Sequence, residues 1–139
     1  QAEGHAQMDR ALERGCTFWD TAEMYPVNPV RKETVGRSEE VIGNWFARTG
    51  RRAETVIATK VAGDTAQVRD GKGYDGKIVR EAVDASLRRL QTDVIDVYQL
   101  HWPMRGSYMF RQNWHYDPRG KRRGEVVEHM VEVLEAMAK

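Results

Sequence analysis

Three short apolar runs, separated by segments with helical spacing, constrain the fold of this chain most strongly. The runs lie at 16–20, 55–60 and 93–101. They are rich in β-branched or aromatic residues, which favours strands, and the third is apolar on both faces at its centre. Strands that alternate with helices are typical of a parallel sheet with right-handed crossovers. The sequence therefore predicts an α/β fold with no internal domain boundary.

Apolar residues recur at helical spacing in four segments. The first covers residues 3–14. Ser38 is expected to cap the second, which Gly50 would end, and Asp75 is expected to cap the third. The last begins near residue 125. The loops after the strands are long, whereas the connections from helix back to strand are short.

Composition excludes several classes of protein. A chain of 139 residues that is 40% hydrophobic and 31% charged is expected to fold as one domain. A net charge of +1 implies no bulk attraction to nucleic acid or to an anionic membrane. No apolar stretch approaches the roughly 20 residues that a membrane helix needs. Cys16 is the only cysteine, which rules out an intrachain disulfide and favours a cytoplasmic setting.

Four chemically distinct side chains lie at the carboxyl ends of the predicted strands, or just beyond them. They are Asp20, Tyr25, Lys60 and His101. In parallel α/β folds the active site lies among the loops that follow the strands. We therefore expect these four side chains to converge on one face of the sheet.

Together these groups could protonate a carbonyl oxygen. A phenol with a pKa of about 10 is a weak acid at neutral pH, and a nearby cation makes it stronger. Lys60 could supply that cation, Asp20 could keep Lys60 charged and oriented, and His101 could align a carbonyl oxygen with Tyr25. Protein side chains contain no hydride donor, so reduction would also require a nicotinamide cofactor.

Each of the four residues also has a structural interpretation. An Asp at a strand end often caps a loop, a loop Tyr often packs, a terminal Lys is usually solvated, and a single His often makes a structural hydrogen bond. Their joint occurrence after three consecutive strands favours the functional interpretation. The aromatic residues of the loop 102–124 could equally line a pocket or hold that loop against the sheet; they are Tyr108, Phe110, Trp114 and Tyr116.

Several separate blocks of the sequence resemble the aldo-keto reductases. The first block is Asp20-Thr21-Ala22-Glu23-Met24-Tyr25, and the second is Gly36-Arg37-Ser38-Glu39 with Gly43. The third is Thr59-Lys60, and the last runs from Asp93 to Pro103 and includes His101 and Trp102. The insert Pro26-Val27-Asn28-Pro29 and the phrase Leu90-Gln91-Thr92-Asp93 resemble the bacterial Tas-like branch of that family.

The resemblance implies a (β/α)₈ barrel that reduces aldehydes or ketones with NADPH. Tyr25 would be the proton donor, Lys60 and Asp20 would adjust the acidity of its phenol, and His101 would orient the substrate. Asp20 would also lie close to the nicotinamide ribose, and Trp102 would border a pocket for apolar or aromatic carbonyl compounds. No metal site is implied.

The resemblance further implies that residues 1–139 form a single partial barrel domain. This domain would hold roughly the second to fourth strands and lack the first strand and the C-terminal half. We therefore expect the isolated chain to be inactive and to bind NADPH poorly. The expected partner is a small carbonyl substrate. Binding to nucleic acid or to a membrane is not expected, and homo-oligomerisation is left as an open alternative.

Two other functions stay open at this point. One is a non-catalytic binding subunit of the same fold, of the channel β-subunit type, although all four residues are retained. The other is a metal-dependent barrel hydrolase that uses Asp20 and His101. The sequence offers few further histidines and carboxylates at strand ends to complete such a metal site.

Overall fold

The computed structural model describes residues 1–104, 114–117, 119 and 122–139. Helices and strands alternate through this part of the chain, as the sequence predicts. The elements are α1 (Ala2–Glu13), β1 (Phe18–Asp20), α2 (Arg37–Thr49), β2 (Val56–Val61), α3 (Gly76–Leu90), β3 (Val97–Leu100) and α4 (Arg123–Met137).

The strands of the described residues form one parallel sheet in the order β1-β2-β3. Asp20 pairs with Ala58 in the register of β1 on β2. Lys60 pairs with Gln99 in the register of β2 on β3. The predicted parallel α/β architecture is confirmed, and the carboxyl ends of all three strands lie at one edge of the sheet.

Two apolar clusters hold the helices against the sheet. One contains Trp45, Phe46, Ile57 and Leu90, and the other contains Val61, Tyr74, Val79, Ala82 and Val133. Burying each of the larger side chains stabilises the fold by about 1.5–3 kcal/mol. None of the described helices is both long and apolar enough to cross a membrane.

A buried carboxylate connects α2, β2 and α3. Glu39 is 0% exposed. Its two oxygens accept hydrogen bonds from the Thr59 hydroxyl at 2.6 Å and from Arg89 Nε at 2.6 Å. A buried charge is tolerated only when it is paired and hydrogen-bonded, so these three residues form one interdependent unit.

The predicted N-cap of α2 is wrong. The helix begins at Arg37 and its N-cap is Gly36, at a φ of +82°, instead of Ser38. A Cβ on Gly36 would lie 2.5 Å from Arg89 Cδ, so the bend into the helix needs a residue without a side chain. The other two predicted helix boundaries are confirmed. Asp75 accepts a hydrogen bond from Ile78 N at 2.8 Å, and Gly50 ends α2 at a φ of +67°.

The third predicted strand, 93–101, is shorter in the structure. The strand begins at Val97, and just before it Asp96 N donates to the Ile57 carbonyl at 3.1 Å while the Asp96 side chain takes the place of its backbone as acceptor. Asp96 Oδ2 accepts hydrogen bonds from Ile57 N at 2.7 Å and from Arg52 Nη2 at 2.6 Å. In the loop that follows, Tyr108 and Phe110 lie outside the described residues, and Trp114 is 86% exposed.

The close contact of α2 with the end of α3 predicts that Gly43→Ala is destabilising. A Cβ on Gly43 would lie 2.1 Å from the carbonyl oxygen of Arg89, and a backbone atom cannot move away cheaply. Overpacking of this kind costs about 1–3 kcal/mol, which urea denaturation would measure. Gly124→Ala is the matched control, because nothing lies within 4 Å of its Cβ position. Equal stability of the two variants would contradict the contact.

Candidate active site

The sheet brings the four predicted residues to one edge. Asp20 is the last residue of β1, Lys60 is the penultimate residue of β2, and His101 directly follows β3. Tyr25 lies in the turn after β1, where its N–H donates to the carbonyl of Ala22 at 3.0 Å. The carbonyl of Tyr25 accepts from Ser38 N at 3.3 Å, which ties this turn to the start of α2.

Two oxygen acceptors hold the ammonium group of Lys60. Its Nζ donates to Asp20 Oδ2 at 2.6 Å and to the carbonyl of Thr21 at 2.7 Å. The side chain of Lys60 is 13% exposed, whereas that of Asp20 is 48% exposed. Lys60 is therefore a confined cation, and Asp20 keeps a face toward solvent.

The aromatic rings of Tyr25 and His101 lie beside this cation. Lys60 Nζ is 5.5 Å from the centroid of the Tyr25 ring. The Tyr25 and His101 ring centroids are 5.7 Å apart, at an interplanar angle of 73°. The structure thus gathers an acid, a phenol, an amine and an imidazole into one cluster.

His101 is held in a partly buried environment. Its backbone N–H donates to the carbonyl of Val61 at 3.0 Å, which continues the pairing of β2 with β3. Burial lowers the pKa of the imidazole below its ordinary value of 6.5, and the charge of Lys60 lowers it further, while Asp20 partly opposes both effects. Within the described part of the chain, His101 Nδ1 is buried without a hydrogen-bond partner.

Trp102 is fixed at the border of the cluster by contacts that sequence reasoning missed. Its ring centroid is 5.1 Å from that of His101, and its Nε1 donates to Asp64 Oδ1 at 3.0 Å. A Cβ on Gly63 would lie 2.1 Å from Trp102 Nε1, so the indole packs directly on the backbone there. The only sequence signal was a glycine just after β2.

Sequence reasoning also missed a buried ion pair next to the cluster. Glu23 Oε1 accepts from Arg69 Nη1 at 2.5 Å, and the other carboxylate oxygen accepts from Ala62 N at 2.8 Å. A glutamate between an alanine and a methionine, close to the tyrosine of the motif, was the available signal. The partner arginine lies in a polar loop with no distinguishing pattern.

A cavity of about 440 Å³ opens beside Asp20 and Tyr25. Its remaining lining comes largely from Trp19 and from apolar residues of α1 and α2. Lys60 and His101 do not line this cavity. It therefore lies on the β1 side of the cluster, where Asp20 and Tyr25 border it.

These features define a class of protein. A parallel α/β sheet carries a confined lysine and a histidine at the carboxyl ends of its strands, with a tyrosine in the turn after the first strand. Side chains of these kinds can donate or accept a proton at a bound group, which is typical of an α/β enzyme that performs acid–base chemistry.

Comparison with known proteins identifies the family. The sequence profile of the Aldo/keto reductase family matches residues 1–139. The chain therefore belongs to the aldo-keto reductases, whose fold is a (β/α)₈ barrel.

The relatives support this assignment. The chain is 46% identical to Protein tas of Escherichia coli over 114 residues, which are 79% of this chain and 33% of that protein. It is 38% identical to the aldo-keto reductase yakc [NADP(+)] of Schizosaccharomyces pombe over 100 residues, which are 69% of this chain and 26% of that protein. The predicted likeness to Tas is confirmed. The chain spans about a third of the length of these relatives or less.

A solved structure shows the same fold. The aldo-keto reductase AKR11C1 from Bacillus halodurans, in its holo form, matches with a TM-score of 0.67 and 30% sequence identity. The match covers 99% of this chain and 36% of that one. The three strands described here are therefore part of a barrel sheet.

The environment of His101 predicts that its pKa lies below the ordinary value of 6.5. Because the neutral imidazole is favoured only in the folded chain, His101 contributes stability that is present above pH 6.5 and is lost as the pH falls below it. Ring-proton shifts in an NMR titration would measure the midpoint. Lys60→Met removes the positive charge that lowers this pKa, so the midpoint should rise in that variant. A midpoint above 6.5 in the unsubstituted chain would contradict the described environment.

Proposed function

We propose that the protein carrying this sequence reduces aldehydes or ketones to alcohols with NADPH, and that Tyr25 donates the proton. The observation that carries the proposal is the confined ammonium of Lys60, 5.5 Å from the centre of the Tyr25 ring. The proposed site consists of side chains from the ends of three neighbouring strands.

Lys60 is suited to assist proton donation by a phenol. A phenol that gives up its proton becomes an anion, and a nearby cation stabilises that anion. The hydrogen bonds to Asp20 and to the Thr21 carbonyl hold the Lys60 ammonium in place before the reaction. A charge that is already in position costs no reorganisation when the anion forms.

His101 is suited to orient the substrate rather than to compete as an acid. Its lowered pKa keeps the imidazole neutral at pH 7, so it can still donate one N–H hydrogen bond. Its ring lies next to those of Tyr25 and Trp102. A carbonyl oxygen that accepts from His101 would therefore lie within reach of the phenol.

Among the described residues, Asp20 is the proposed contact for the cofactor. The Asp20 carboxylate is half exposed at a strand end, where it could accept a hydrogen bond from a ribose hydroxyl. A bound NADPH would supply the hydride. The preference for NADPH draws support from the relative whose name carries NADP(+).

Trp102 supports a preference for apolar or aromatic carbonyl compounds. The hydrogen bond to Asp64 and the contact with Gly63 hold its indole beside His101. A fixed aromatic wall gives such compounds more contact area than small polar ones.

Tyr25→Phe tests the identity of the proton donor. Loss of a general acid should lower kcat for carbonyl reduction by about 10²- to 10⁴-fold, while the Kd for NADPH stays nearly constant. The measurement is NADPH oxidation by the natural protein, together with a fluorescence titration of the cofactor.

Tyr98→Phe is the matched control. The Tyr98 hydroxyl is buried without a partner in the described part of the chain, and burial raises its pKa well above the ordinary value of 10.0. Its removal should leave turnover unchanged. Wild-type turnover in Tyr25→Phe would show that another group donates the proton.

The 139-residue chain by itself is expected to be inactive. Its described residues form three strands of an open sheet and offer the cofactor the single proposed contact at Asp20. Mixing this chain with NADPH and an aromatic aldehyde should give no oxidation above background. Turnover equal to that of the natural protein would contradict the expectation.

A further inference from the structure

Glu23, Arg69 and Ala62 form a closed ring of hydrogen bonds beside the candidate active site. The Glu23 carboxylate accepts from Arg69 Nη1 at 2.5 Å and from Ala62 N at 2.8 Å. Arg69 Nη2 completes the ring by donating to the Ala62 carbonyl at 2.5 Å. The side chains of Glu23 and Arg69 are 8% and 22% exposed. The ring is therefore largely shielded from water.

The ring joins the two segments that carry Tyr25 and Lys60. The backbone N–H of Glu23 donates to the carbonyl of Lys60 at 3.1 Å, just before Val61 in the chain. The Glu23 carboxylate accepts from the backbone N–H of Ala62, just after Val61. Glu23 thus extends the pairing of β1 with β2 beyond the last strand residue. Tyr25 follows two positions later.

Arg69 reaches Glu23 from a loop with an uncommon backbone conformation. Arg69 and Asp70 have φ angles of +52° and +54°, in the left-handed region that residues with a side chain seldom occupy. Such conformations persist where surrounding contacts determine them. The contacts of the Arg69 guanidinium with Glu23 and Ala62 are shielded contacts that hold this loop to the strand ends.

We propose that Glu23 and Arg69 are positioning residues that set the distance between the Tyr25 phenol and the Lys60 ammonium. Neither residue needs to contact the substrate. Arg69 neutralises and orients the buried carboxylate, and the carboxylate holds the Tyr25 turn against β2. The proposal rests on the proposed function, because it concerns the geometry of that same proton transfer.

The kinetic test compares Glu23→Ala, Arg69→Met and the double variant in the natural protein. Misplacement of a reacting group by about 1 Å can cost on the order of 100-fold in rate. We expect each single variant to lower kcat by about 10- to 100-fold with little change in KM. Because the two residues act as one unit, the double variant should be no slower than the slower single variant.

Two further variants separate positioning from stability. Arg69→Lys keeps the positive charge and should recover much of the lost kcat, which a loss of folded protein would not explain. Asp70→Asn is the matched control on the same loop. It breaks only the exposed ion pair between Asp70 and Lys32 and should keep wild-type kcat. Should Glu23→Ala not fold, Glu23→Gln supplies the measurement. Unchanged kcat in Arg69→Met, or a rise in KM alone, would overturn the proposal.

Amide hydrogen exchange gives a readout that does not depend on the reaction. The Ala62 N–H should exchange at least about 10-fold faster in Glu23→Ala and in Arg69→Met than in the unsubstituted protein, because its acceptor is lost or released. If exchange is faster in the two variants but the unsubstituted protein reduces no carbonyl compound, the proposed function alone is contradicted. Unchanged exchange would overturn the proposal that Glu23 and Arg69 hold Ala62 in place.

Discussion

The parallel pairing of β2 with both of its neighbours is the constraint on which the rest of this structure depends. Because the three strands run in one direction, their carboxyl ends lie at one edge, and the segments after them must meet there. Asp20, Lys60 and His101 need no long loops to approach each other, since the ladder itself aligns them. A shift of β2 by one residue would turn Lys60 to the helix-covered face and destroy the cluster.

Buried carboxylates support β2 from two sides. On the helix-covered face, Glu39 accepts from Thr59 and Arg89, and so joins α2 and α3 to the strand. At the strand end, Glu23 accepts from Ala62 and Arg69. Both acids are paired with an arginine from a later segment of the chain. The region that presents Lys60 is therefore held by charge pairs as well as by apolar packing.

The sequence predicted the parts of the structure that local patterns determine. The period of the apolar residues predicted the α/β alternation, and the polar residues after the apolar runs predicted the location of the cluster. The start of α2 could not be predicted, because it depends on how Arg89 packs against Gly36 from a distant helix. Arg69 could not be predicted either, since its partner Glu23 lies 46 residues away in the chain. Contacts between distant segments leave no periodic signal.

The hydrogen bonds of Lys60 have one more consequence. An ammonium group has three N–H donors, and those of Lys60 with oxygen partners in the described residues are directed at Asp20 and the Thr21 carbonyl. In the proposed reaction, the third donor would serve the phenol oxygen or an oxygen that arrives with a ligand. Lys60 would then combine two donors anchored by the described residues with one that acts in the reaction. An arginine could not replace it, because a planar guanidinium spreads its charge over a wider fork and cannot concentrate it at one point.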